Sequence, residues 1–205
     1  MSEQYHLAEL EVAQNPSHPA HILPPAVPLG SRVLDIGCGA GQTLIAAYPH
    51  QLTFGVDIDP AALRLGLTLT ADVCFACSKA EALPFCNSEF DLVVARVSLA
   101  YTDLRRSLAE IRRVLKPGGL LWMTLHPFAL CWAQAKRSNW KGKIFLAYVL
   151  LNSALFHLWQ VQFSVWGKQE SFQTERGIRR LLQRCGFSDI VTEQGRHFLV
   201  TARAV

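Results

Sequence analysis

The sequence predicts an α/β fold, a mostly parallel sheet with helices on both faces. Short apolar runs of strand length recur at 32–36, 53–57, 72–77, 90–95 and 120–125. Helical patterns at 41–48, 60–70 and 103–115 lie between them, so the strands join through right-handed crossovers. The tail then changes character: a helix at 174–185 stops at Gly186, and two strands at 188–193 and 197–203 flank Gly195 as an antiparallel hairpin.

Each element has its own local reason. Residues 6–14 fit a short amphipathic helix, and Pro16, Pro19, Pro24, Pro25 and Pro28 enforce an extended lead-in after it. The first strand ends in Val33-Leu34-Asp35-Ile36 and runs into a turn with glycine at 37, 39 and 41. Such a turn bends sharply and lets the backbone approach a ligand, and the helix after it is expected to present free N–H groups there. The second strand, Phe54-Gly55-Val56, ends in Asp57, placed to receive the two hydroxyls of a ribose. Asp59 before Pro60 reads as a helix N-cap. On the third strand Cys74 and Cys77 form a C-x-x-C, but residues three apart on a strand face opposite ways, so buried free thiols are expected rather than a metal site. The fourth strand leads into Ala95-Arg96-Val97-Ser98-Leu99-Ala100-Tyr101 at the edge where such sheets bind ligands, and His126 closes the fifth.

The glycine spacing narrows the ligand. A dinucleotide turn of the form G-x-G-x-x-G needs glycine at 42, where this chain has Gln42. G-x-G-x-G with an acid two residues upstream resembles motif I of the class I S-adenosylmethionine (SAM) methyltransferases. Glu81-Ala82-Leu83-Pro84-Phe85, Phe90-Asp91-Leu92-Val93-Val94 and Arg113-Val114-Leu115-Lys116-Pro117-Gly118-Gly119 follow in that family's order and spacing. The resemblance covers 28–126 well and 171–203 more loosely. It is to the small-molecule branch, which includes quinone-biosynthesis methyltransferases. It implies a Rossmann-like seven-stranded sheet of order 3-2-1-4-5-7-6, last strand antiparallel, with a helical insertion after strand 5. It also implies a single domain: lead-in 1–28, SAM-binding core 29–126, insertion 127–170, and last helix with hairpin 171–205.

The same resemblance implies roles for individual residues. Asp35 orders the turn and reaches the methionine ammonium through water. Gly37, Cys38, Gly39 and Gly41 line the methionine portion, Asp57 takes the ribose, and Ile58 lies against adenine. Relatives often carry an acid for the adenine amino group where this chain has Lys79, a donor only; Ala80 and Glu81 are carried forward as the adenine-side pair, or Lys79 faces solvent. Arg96 either holds an acidic group of the ligand or pairs with an acid such as Asp35. Tyr101 and His126 are the candidate catalytic residues, the first to contact the methyl acceptor and the second as general base. His157 and His197 read as structural, and His18 and His21 as solvent-exposed.

Composition sets the remaining bounds. The chain has 205 residues, half of them apolar, and six scattered cysteines, which fit a cytoplasmic protein. Its net charge of +4 hides a strong asymmetry: residues 1–100 hold 4 Lys/Arg against 10 Asp/Glu, and residues 101–205 hold 16 against 6. Solvated helix faces, such as one bearing Arg105, Arg106, Arg112 and Arg113, explain this more simply than a partner surface. Residues 144–167 carry no charge at all, and such a segment is expected to form an apolar lid over a hydrophobic substrate. The expected function is therefore SAM-dependent methyl transfer to a small hydrophobic molecule, with S-adenosylhomocysteine (SAH) as product, by a monomer or homodimer. A membrane-surface enzyme acting on lipid or quinone uses the same motifs, and its peripheral contact would fit the basic half. A SAM-binding module without catalysis is the third reading. Nucleic acid is disfavoured, since neither a target-base motif nor an aromatic-basic platform is present.

Overall fold

A computed structural model describes residues 2–125, 140–163 and 173–205. Helix α1 (Glu3–Gln14) precedes β1 (Val33–Ile36), α2 (Gln42–Ala47), β2 (Thr53–Asp57), α3 (Pro60–Leu69) and β3 (Val73–Cys77). Then come β4 (Phe90–Arg96), a single 3-10 turn (Leu99–Tyr101), α4 (Leu104–Val114) and β5 (Leu115–Leu125). Helices α5 (Trp140–Trp159) and α6 (Glu175–Arg184) and strands β6 (Phe187–Gln194) and β7 (Phe198–Ala204) complete the described elements. The sheet order is β3-β2-β1-β4-β5-β7-β6, as expected. Every pairing from β3 to β5 is parallel, and β7 runs antiparallel to both its neighbours.

The apolar runs become strands because both faces of the sheet are covered. All four residues of β1 are buried, as are Leu92 to Ala95 of β4. One core cluster packs α4 and α6 against the sheet through Leu104, Leu108, Ile111, Ile178, Leu181 and Leu182; the other side holds Val33, Leu44, Tyr48, Val94 and Trp122. In α4 the buried positions 104, 107, 108, 111 and 114 follow the helical period, while Arg105 and Arg106 face solvent. Caps fix the starts: Asp59 accepts from Ala61 N at 2.9 Å, Asp103 from Arg106 N at 3.1 Å, and Thr174 from Gly177 N at 3.1 Å.

Two expectations need correction. Cys74 and Cys77 are free thiols but exposed, because β3 is an edge strand and one of its faces is only partly covered. Arg112 and Arg113 are not on a solvated face. Arg113 donates to Leu83 O, Phe85 O and both carboxylate oxygens of Glu110, and Arg112 donates to Gly186 O, so the pair ties α4 to the loops at either side. The charge-free segment is described over 144–163. Helix α5 lies against α6, with Phe156 fully buried in the main core and against Gly177, whose Cβ would meet the ring at 2.9 Å. His157 Nδ1 lies 2.6 Å from Thr174 Oγ1, a structural contact as expected. No helix among the described residues is long and apolar enough to cross a membrane.

If α5 is a core-packing helix, Phe156→Ala removes a buried ring from the main cluster and destabilises the fold by roughly 3–5 kcal/mol. Urea unfolding measures this, and SAH affinity of the folded variant is expected to be unchanged. Weaker SAH binding with unaltered stability would put the ring in the ligand site instead.

Candidate active site

The turn after β1 sets the floor of the site. Gly37, Gly39 and Gly41 have φ of 73°, 57° and 83°. A Cβ on Gly37 would stand 2.3 Å from Ser98 Cβ, so glycine is required there by space as well as by conformation. The amides of the turn itself are not free. Gly37 N and Cys38 N donate to Val56 O at 2.8 and 3.0 Å, and Gly39 N donates to Asp57 Oδ2 at 2.8 Å. Ala40 N donates to Gln42 Oε1 at 3.1 Å, and Gly41 N to Cys38 O at 2.8 Å. Five successive donors are consumed internally, so these amides offer no nest for a pyrophosphate.

Beside the turn lies a cavity of about 500 Å³ at the C-terminal ends of β1, β2 and β4. Gly37, Cys38, Gly39, Asp57, Ile58 and Ala80 line one side, with Ile58 largely exposed at the rim. Arg96 and Tyr101 line the other. Between them Val97 holds φ of 63°, a region that β-branched residues avoid, and the reversal seats Ser98 Oγ on Ile36 O.

The predicted residues do not all meet here. Gly41 is displaced from the cavity: it caps α2, and a Cβ would strike the Phe75 ring at 2.9 Å. Glu81 also turns away, because its Oε1 accepts from Asp103 N at 2.9 Å and anchors the start of α4. The Ala80–Glu81 pair is thereby divided, and Lys79 faces solvent. Arg96 pairs with Glu9 rather than directly with Asp35. His126 lies outside the described residues. No residue of α5 lines the cavity; among the described residues the cover is α1, through Tyr5, His6 and Glu9. Those three, with Ile36, Gln42, Thr43, Ser78, Val97, Ser98 and Thr102, line the cavity and were not among the predicted site residues. Only one signal pointed to the three on α1, the acidic N-terminal helix set against the lone arginine that ends β4.

Asp35 sits beneath the turn, 2% exposed, and its Oδ1 has no hydrogen-bond partner among the described residues. Burial pushes its pKa up to about 7, Arg96 opposing the shift and Asp57 adding to it. Burial likewise pushes the Cys38 thiol well up, helped by both acids. Burial, Arg196 and Arg96 hold His197 below its usual value.

Residues 34–123 match the family described as Methyltransferase domain. The chain is 34% identical over 102 residues to the uncharacterized methyltransferase YcgJ of Bacillus subtilis, a match covering 46% of this chain and 40% of that protein. Residues 34–123 are thus similar to class I SAM-dependent methyltransferase domains. The ubiquinone/menaquinone biosynthesis C-methyltransferase UbiE of Psychromonas ingrahamii is 35% identical over 104 residues, covering 45% of this chain and 41% of its own. The chain thus spans about two fifths of the length of these curated relatives. In fold it is similar to a SAM-dependent methyltransferase from Methanosarcina mazei, with TM-score 0.58 and 23% identity over 87% of this chain and 94% of that one.

SAM is the cofactor of this domain type, and the cavity has features that fit it. Two carboxylates, one with an orphaned oxygen, suit a ligand that carries a sulfonium and an ammonium. The glycine floor leaves space that a Cβ at 37 would fill.

The raised pKa of Asp35 has a sign that can be tested. Below the unfolded pKa near 3.8 both states are protonated; as pH rises toward 7 the unfolded chain ionises first, and stability is lost until the folded group also ionises. The whole loss is on the order of 4 kcal/mol. Asp35→Asn is expected to flatten the profile between pH 4 and 7 and to leave the ligand-free domain more stable than the parent at pH 8. Chemical denaturation across pH reads both.

Proposed function

We propose that this domain transfers the methyl group of SAM to a small hydrophobic acceptor. One observation carries the reading: a single cavity joins the glycine floor and Asp57 to a second wall bearing Arg96 and Tyr101. That gives one space for a cationic nucleoside and a neighbouring molecule. A relative named for quinone biosynthesis supports a hydrophobic acceptor.

When bound, SAM supplies a methyl carbon already activated by its sulfonium, so the protein's task is to hold and orient. Asp57 keeps Oδ1 on Asp59 N and Oδ2 on Gly39 N, and its remaining lone pairs are available to ribose hydroxyls. Asp35 neutralises the methionine ammonium through water, and Arg96 is the donor for the methionine carboxylate. Ile58 and Ala80 provide an apolar flank for adenine. Tyr101, on the 3-10 turn at the cavity mouth, orients the acceptor; His126, next in sequence after β5, is the candidate to take its proton. The Glu9–Arg96 pair and the rest of α1 exclude water from the cofactor side.

A second reading concerns where the reaction takes place. Leu151, Leu158, Trp159 and Phe163 are exposed along and just after α5, and exposed Lys143 and Arg176 belong to α5 and the helix packed on it. An apolar face bordered by cations suits the interface of an anionic bilayer. Sedimentation with phosphatidylglycerol vesicles is expected to carry the protein down at low salt and to release it from Trp159→Ser. Equal binding to phosphatidylcholine vesicles would remove the role of the cations, and no binding to either would leave a protein that works in solution.

Two measurements test the main reading. Methyl-labelled SAM with cell extract is expected to give enzyme-dependent label in the organic fraction; label in protein or nucleic acid alone would exclude a small acceptor. SAH affinity is expected to fall with pH below 7, approaching tenfold per unit, because a nearby ammonium favours ionised Asp35 and binding must then release its proton. Titration calorimetry in buffers of different ionisation enthalpy detects that proton. Asp57→Ala is expected to weaken SAH at least tenfold.

A further inference from the structure

Helix α1 buries only two side chains, His6 and Ala13. His6 is 2% exposed and lines the cavity. An imidazole is a poor choice for a packing anchor unless its polar atoms are used. Its tautomer follows from its neighbour. Gln42 Oε1 accepts from Ala40 N at 3.1 Å, which fixes the amide orientation, so Gln42 Nε2 donates, to His6 Nδ1 at 2.9 Å and to His6 O at 3.3 Å. Nδ1 is therefore the acceptor of the neutral ring, and the hydrogen resides on Nε2. Nε2 is buried and has no partner among the described residues. The molecule thus holds a preset, buried N–H donor on a residue that lines the cavity.

The place of the ring selects what it meets. A Cβ on Gly39 would lie 3.0 Å from His6 Nδ1, so the imidazole stands over the glycine turn. Gly39 is also the residue whose N–H is held by Asp57. We propose that His6 Nε2–H is a cofactor-binding donor that bonds an oxygen of the bound nucleoside, and that Gln42 is the positioning residue that keeps the hydrogen on Nε2. This rests on the reading that the cavity holds SAM. The acceptor is an oxygen of the cofactor, either the methionine carboxylate or a ribose hydroxyl, and not an atom of the methyl acceptor. On this assignment α1 contributes to affinity and does more than close the cavity.

The test uses the whole chain, SAH, and methylthioadenosine, which keeps the ribose but lacks the amino acid. His6→Phe and His6→Asn, neither of which places a donor at Nε2, are expected to weaken SAH about tenfold. His6→Gln, whose amide reaches the Nε2 position, is expected to recover most of that loss. Without ligand, His6→Phe loses the Gln42 bond to Nδ1 and is expected to melt lower whether or not the ring binds ligand, so affinities are compared at a temperature where every variant is folded. Loss for SAH alone assigns the carboxylate, and loss for both ligands assigns the ribose; either supports the proposal. Nitrogen-15 spectra of histidine-labelled protein are expected to show His6 as the Nε2–H tautomer, with that signal shifting on SAH addition. A parent that binds SAH while His6→Phe and His6→Asn bind it equally well would overturn the proposal and leave the cofactor reading standing. A parent that binds no SAH overturns both.

Discussion

The tie between the turn after β1 and the end of β2 is the constraint on which the site depends. Gly37 N, Cys38 N and Gly39 N are all spent on Val56 and Asp57. These bonds require β1 and β2 to lie side by side in parallel register, Leu34 against Phe54 and Ile36 against Val56. They also decide the ligand's charge. A turn that offered its amides outward would attract phosphate; one that turns them onto the next strand leaves the carboxylates of Asp35 and Asp57 as the local field. The same glycine-rich sequence signal therefore leads to a site for a cation.

The second wall is built by opposite means. Nothing in the parallel sheet forces α1 over the cavity; side chains hold it there. Glu9 pairs with Arg96, and Gln42 joins α2 to both the ring and the carbonyl of His6. Arg96 is thereby shared between the helix above it and the buried acid below, whose pKa it lowers against the effect of burial. Because Arg96 is only 17% exposed at its side chain, its pairing is worth more than a surface ion pair, and losing either partner leaves a charge with poor solvation. This couples closure of α1 to the ionisation state of the floor.

The sheet was legible because its signals are local and repeated. Strand-length apolar runs, a proline at the start of α3, Gly186 at φ 82° after α6, and acids at strand ends all act within a few residues. The seven-strand order came from the resemblance, since strand length and periodicity do not encode it. The site was legible where a residue's own backbone makes it functional, as at Gly37, Gly39 and Asp57. It was illegible where contact is made across long separations. His6 meets Gln42 from 36 positions away, and Glu9 meets Arg96 from 87. The buried side of helix α5 was illegible for a different reason. A helix apolar on all sides does not say which side is buried. Here Val149, Asn152, Ser153 and Phe156 are buried, following a helical stripe that the uniform hydropathy concealed.

Three unfavourable features lie at or beside one cavity: His6, with its unpartnered Nε2–H, and the left-handed Val97 line it, and Asp35, with an orphaned Oδ1, is buried beneath the turn that forms its floor. Each costs about 1–3 kcal/mol in a folded domain whose whole stability is about ten. Among the described residues, buried polar atoms without a hydrogen-bond partner also occur at Arg32, Thr53, Thr124, Gln160 and His197, residues that do not line this cavity. The pair at Asp35 and His6 is complementary, an acceptor that favours a cation below the floor and a donor that favours an oxygen at the wall. A zwitterionic or polar nucleoside satisfies both at once, whereas an apolar molecule satisfies neither. Ligand binding would then remove costs already present in the free domain, and that part of the affinity comes from relief of the protein's own polar groups. Such a site discriminates against a hydrophobic molecule on the cofactor side even if its acceptor side welcomes one, which gives the two halves of a single cavity opposite preferences.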